Sequence, residues 1–97
     1  MITARVFRRF AVRENGIDSI VRVSRVLDVP AVPHDGVRLD FGDGSGEASV
    51  CAIRFVCSSN RGPGFYPPSV DILSSTEPGD RLKAALTAGW APLEEPA

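Results

Sequence analysis

Residues 50–57 read Val50-Cys51-Ala52-Ile53-Arg54-Phe55-Val56-Cys57, the longest near-continuous apolar run between turn signals in a chain of 97 residues. Branched and aromatic side chains dominate it and favour a pleated backbone. At a period of two, Cys51, Ile53, Phe55 and Cys57 share one face, and Val50, Ala52, Arg54 and Val56 share the other. The first face is wholly apolar and the second nearly so. That pattern predicts a strand covered on both sides, in the middle of a sheet.

Just upstream, Val37-Arg38-Leu39-Asp40-Phe41 alternates, with Val37, Leu39 and Phe41 inward. The segment Gly42-Asp43-Gly44-Ser45-Gly46-Glu47 carries a reversal signal in Asp43-Gly44. The simplest topology is a hairpin of Val37–Phe41 with Val50–Cys57, joined by an exposed polar loop. Pro30 and Pro33 fix an extended connector before the turn His34-Asp35-Gly36. Residues 19–29 predict another strand, with Val21, Val23, Leu27 and Val29 on one face. Arg25 interrupts that face and reads as a bulge. Residues 2–12 fit a strand or a helix. The strand puts Ile2, Ala4, Val6, Arg8 and Phe10 together, spoiled by Arg8; the helix has a stripe of Val6, Phe7, Phe10 and Ala11. Asn15-Gly16 is a strong hairpin signal and tips the reading to a strand.

Downstream, residues 58–68 predict an irregular loop and Ser69–Leu73 a short last strand. Ser74-Ser75-Thr76-Glu77-Pro78 reads as a helix start, with a Ser or Thr cap and an early Pro. Leu82, Ala85, Leu86 and Gly89 then share a helical face. The helix should end near Ala88-Gly89, with Trp90 folding back on the core. The expected fold is mainly β (α+β): a small antiparallel curled sheet or barrel of about five strands with one C-terminal helix. Residues 1–92 form one folded domain, and 93–97 an acidic frayed tail.

Apolar residues make up 43% and charged residues 24%, as in ordinary globular proteins. A net charge of −1 lacks the overall basic signature of a nucleic-acid binder. The charge is segregated, however. Residues 1–30 hold Arg5, Arg8, Arg9, Arg13, Arg22 and Arg25 against three acids, while the rest of the chain is net acidic. Cys51 and Cys57 lie ~20 Å apart on a straight strand, too far for a disulfide. Their spacing and the single His argue against a zinc site. Free core thiols suit a reducing cytoplasm. No apolar run reaches the ~18 residues of a membrane helix, and arginines break up the N-terminal stretch that a secretory signal would need.

The layout VPAVPHDGVRLDFGDG (29–44) followed by SVCAIRFV (49–56) resembles small uncharacterised β-barrel proteins of phages and other bacterial mobile elements. The resemblance covers about a third of the chain. It implies a compact antiparallel sheet, with no activity, cofactor or site residue to carry over.

Chemistry-bearing groups are sparse. Asp40, Asp43 and Glu47 lack the spacing of a calcium loop, and the glycines lack the helix and Lys of a phosphate loop. No catalytic residue, metal site or cofactor is expected. The strongest binding candidate is the loop with Asn60, Arg61, Phe65 and Tyr66, which combines a cation, two aromatics and glycines. The second is the N-terminal basic group, Arg8 and Arg9 above all, flanked by Arg5 and Arg13. The sequence thus favours a non-enzymatic interaction module, cytoplasmic, that binds another protein or itself, with a homodimer as one form. A nucleic-acid-binding barrel using Arg61, Phe65 and Tyr66 with the N-terminal arginines is the alternative. A small-molecule site or enzyme near His34 or Cys57 is the third reading.

Overall fold

The structure is a computed structural model and describes residues 2–56 and 69–93. It contains one curled sheet of six strands, ordered β3-β4-β5-β1-β2-β6 and not closed into a barrel. The strands are β1 (Ile2–Glu14), β2 (Ile17–Val29), β3 (Arg38–Asp40), β4 (Glu47–Val56), β5 (Ser69–Pro78) and β6 (Ala91–Pro92). One short helix, α1 (Leu82–Thr87), lies between β5 and β6, entered through a 3-10 turn at Gly79–Arg81.

The strand at the centre is β1. It pairs antiparallel with β2 along its whole length, from Ile2–Val29 to Glu14–Ile17. Asn15 and Gly16 close this hairpin with φ of 53° and 77°, the doubly left-handed turn that matches the twist of paired strands. On its other side β1 runs parallel to β5. The sheet is therefore mixed, where the sequence suggested antiparallel pairing throughout. A parallel pair needs a long crossover, and here it includes β2, β3 and β4.

The apolar run of 50–57 is placed differently from its prediction. The last strand on its side, β3, pairs only with Glu47–Ser49, so beyond Val50 the described part of β4 is bonded along one side, to β5. A register shift between Val50 and Ala52 bulges Cys51 out. The bulge reverses the alternation: Val50 faces the core before it and Ile53 after it, while Cys51 and Phe55 are exposed. Periodicity assigned one continuous face to two half-strands. Cys57 lies outside the described residues.

Three further expectations are corrected. Arg25 causes no bulge, since the β1–β2 register is unbroken; it stays on the core face and reaches out to the carbonyl of Ala88 at 2.9 Å. Ser74–Pro78 does not cap a helix but continues β5, bulged opposite Arg8. Burial of Glu77 and Ser74 on the core side holds it extended. The 3-10 turn begins at Gly79, where a Cβ would collide with the Ala11 carbonyl, so only glycine allows this approach to β1. Finally, the 42–47 loop is not simply solvated, because Ser45 is 2% exposed.

The core occupies one face of the sheet. Ala4, Val6 and Phe10 of β1, Val23 and Val29 of β2, Val50 and Ile72 meet Ala85 of α1 and Trp90, which does fold back as expected. The rings of Phe41 and Trp90 pack edge to face, 4.9 Å apart, a favoured geometry for aromatic pairs. The opposite face of the β5-β1-β2 region carries no such layer among the described residues.

Candidate functional site

Alternation along β1 sends Ala4, Val6, Arg8 and Phe10 inward, and Arg5, Phe7, Arg9 and Ala11 to the other face. The two arginines that the sequence grouped together therefore part company.

Arg8 is fully buried. Its Nε and Nη2 donate to the two carboxylate oxygens of Glu77 at 2.8 and 2.6 Å. Its Nη1 donates to Ser45 Oγ at 2.8 Å, and Nη2 also to the Ser45 carbonyl at 3.2 Å. The guanidinium is enclosed by Phe41, Trp90 and Phe10, with ring centroids 4.4, 4.9 and 5.1 Å away. A buried charge is tolerable only when paired and hydrogen-bonded in this way.

The network continues through Ser45, whose hydroxyl donates to Asp43 Oδ1 at 2.5 Å. Asp43 also accepts from the Ser45 amide, the Trp90 indole at 3.0 Å and Arg25 at 3.2 Å. Burial raises the pKa of Asp43, but the Ser45 hydroxyl and amide, the Trp90 N–H and Arg25 outweigh it and leave the carboxyl below its usual 3.8. Every member has a partner within the network, so it holds the 42–46 loop and the sheet together rather than presenting a reactive group.

The other face is built differently. Across it, Val26, Arg5, Asp71 and Arg54 form one row, and Ser24, Phe7, Leu73 and Ala52 the next. In the first row Asp71 is buried between Arg54 at 2.6 Å and Arg5 at 3.5 Å. The row beyond Phe7 sets Arg9 directly opposite Arg22. Neither forms an ion pair with a described residue, and like charges so placed repel. Beside them a groove of about 300 Å3 is lined by Phe7, Leu73 and Leu93 together with Arg9, Arg22 and Arg54.

Of the expected site residues, Asn60, Arg61, Phe65 and Tyr66 lie outside the described residues. Arg8 sits in the core network, and Arg9 on the open face. His34 is exposed at a shallow recess with Asp35, Ile53 and Phe55. Among the described residues no three His, Cys, Asp or Glu side chains gather as a metal site would require, and no helix is long and apolar enough to cross a membrane. Sequence reasoning did not place Arg22, yet its signal was present. A two-residue turn at Asn15-Gly16 sets Glu14 opposite Ile17, and counting back pairs Arg9 with Arg22.

No protein-family model matches this chain, and searches of curated proteins and of solved structures return no match.

Proposed function

We propose that this chain is a non-enzymatic interaction module whose binding surface is the open face of the β5-β1-β2 sheet. The observation that carries the reading is the opposed pair Arg9–Arg22 beside an apolar groove, on a face that the core does not use. Two opposed cations cost the free protein stability. A partner that brings negative charge removes that cost, so the face suits an anionic partner better than its own twofold copy. The free, exposed thiol of Cys51 supports a reducing compartment such as the cytoplasm.

The test is thermal melting in phosphate against chloride at equal ionic strength. A bound anion stabilises the native state by mass action. The melting temperature should rise with phosphate, and an Arg9→Ser/Arg22→Ser double variant should lose that rise. A rise shared by the double variant is a general salt effect and contradicts the reading.

Self-association has its own support. Among the described residues β6 covers only Val23 and Ser24 of β2, and Ile17, Ile20 and Val26 are exposed at 70%, 46% and 62%. Such an edge can pair with a second copy. Light scattering at ~100 µM should then give twice 10.4 kDa, and Val26→Lys should restore the monomer. A monomeric wild type removes this second reading.

A further inference from the structure

We propose that the open face takes single-stranded nucleic acid, with phosphates on Arg9 and Arg22 and a base on Phe7. The proposal rests on the open face being the binding surface, and names its ligand. Arg9 and Phe7 are two residues apart on one face of β1, ~7 Å along the strand, comparable to the span of one nucleotide. Phe7 is half-buried between Ser24 and Leu73, its register partners. The Arg5 guanidinium lies over the ring, 5.1 Å from its centroid, so a base takes the place of that cation or stacks beside it, above the small neighbours Ser24 and Ala52. A base must be unstacked to lie on such a ring, which a single strand permits and a duplex does not. Arg9 and Arg22 stand next to that ring as two adjacent cations, and Arg54 lines the same groove.

Charge distribution on this face agrees. Arg5 and Arg54 already neutralise Asp71. The other acids on this face of the β1–β2 hairpin, Asp28 and Asp18, lie at its two ends, opposite Thr3 and Arg13. Among the described residues, the middle of the face is left positive. An acidic peptide would satisfy the arginines but bring no planar base to compete with Arg5 for the Phe7 ring. The net charge of −1 is a sum over the whole chain, whereas the rows of this face that hold Phe7 and the Arg9–Arg22 pair contain no acid among the described residues.

The experiment is fluorescence anisotropy with a labelled mixed-sequence 12-nucleotide single strand, as RNA and as DNA. A duplex of equal length and a poly-glutamate peptide serve as comparison probes. Two phosphate contacts should weaken single-strand binding about sevenfold between 50 and 200 mM salt. Arg9→Ser/Arg22→Ser should abolish binding. Phe7→Leu, which keeps an apolar side chain, should weaken it by about fivefold or more through lost stacking. Circular dichroism confirms that each variant is folded. If duplex and single strand bind alike and Phe7→Leu changes nothing, the nucleotide proposal falls while an anion-binding face survives. Binding of poly-glutamate alone likewise removes the nucleotide and keeps the anion-binding face. If no anionic probe binds at 50 mM salt, the proposal and the reading of the face fall together.

Discussion

Arg8 and Arg9 stand side by side on β1, and the pleat sends them to opposite faces of the sheet. Arg8 meets Glu77, Ser45 and three aromatic rings in the buried core. Arg9 meets Arg22 at a surface groove. The first makes its hydrogen bonds inside the fold, closing sheet, loop and Trp90 into one unit. The second has its charge opposed by another cation and makes no ion pair with a described residue. One residue step along a strand separates a group held in the core from one left without an ion pair among the described residues. The difference lies in whether the described residues supply an acid.

Breaking the core side should have the largest effect. Arg8→Ala leaves Glu77 buried and unpaired, and should cost roughly 3–5 kcal/mol in urea unfolding. Such a loss takes a large part of a small domain's stability of about 5–15 kcal/mol. Replacing both partners, as in Arg8→Met/Glu77→Leu, should recover most of it, because no lone charge remains. A double variant as unstable as Arg8→Ala would mean that the pair is not what matters there.

Trp90→Phe keeps an aromatic ring but deletes the N–H that reaches Asp43. It should cost roughly 1–3 kcal/mol by the same measurement. The network also sets an acid limit. The pKa of Asp43 is depressed in the folded state below its unfolded value near 3.8. The stability it contributes is therefore present above that unfolded value and is lost as pH falls through the lower folded one. Stability should decline below about pH 4, and Asp43→Asn should flatten part of that decline while lowering stability at neutral pH. An unchanged slope would show that other carboxyls govern acid unfolding.

On the open face the effect on stability should be small and of opposite sign. Arg9→Ser removes a cation facing Arg22 and should leave stability within about 0.5 kcal/mol or raise it slightly. A loss as large as that of Arg8→Ala would erase the contrast between the faces. The exposure of Cys51 is checked independently: its thiol should react with a thiol reagent in the native state at a rate close to that in urea, which a core thiol would not do.

The hairpin of β1 and β2 was legible because its signals are local. Asn15-Gly16 fixes the turn, and the turn fixes every pair behind it. The core role of Trp90 and the end of α1 near Ala88-Gly89 were legible for a similar reason, since Gly89 and Pro92 punctuate the chain. What failed depended on distant partners. Arg8 looked like a flaw in an apolar face because its counterion, Glu77, lies 69 residues away. Ser74–Pro78 looked like a helix cap because Ser, Thr and Pro carry that local preference, which pairing with β1 overrides. The β4 bulge was invisible to alternation, since one extra residue turns two half-patterns into one false face. Of the candidate site, the sequence offered Arg9 only as one of a basic group. Separating it from Arg8 needed the strand's facing, and joining it to Arg22 needed the register.

The most direct test watches both arginines at once. In a proton–nitrogen spectrum of arginine Nε–H groups, titrated with inorganic phosphate, the signals of Arg9 and Arg22 should shift with saturation. The signal of Arg8 should stay fixed and exchange slowly with solvent. A spectrum in which Arg9 and Arg22 do not move, or in which Arg8 exchanges as fast as they do, would contradict the division of the sheet into a structural face and a binding face.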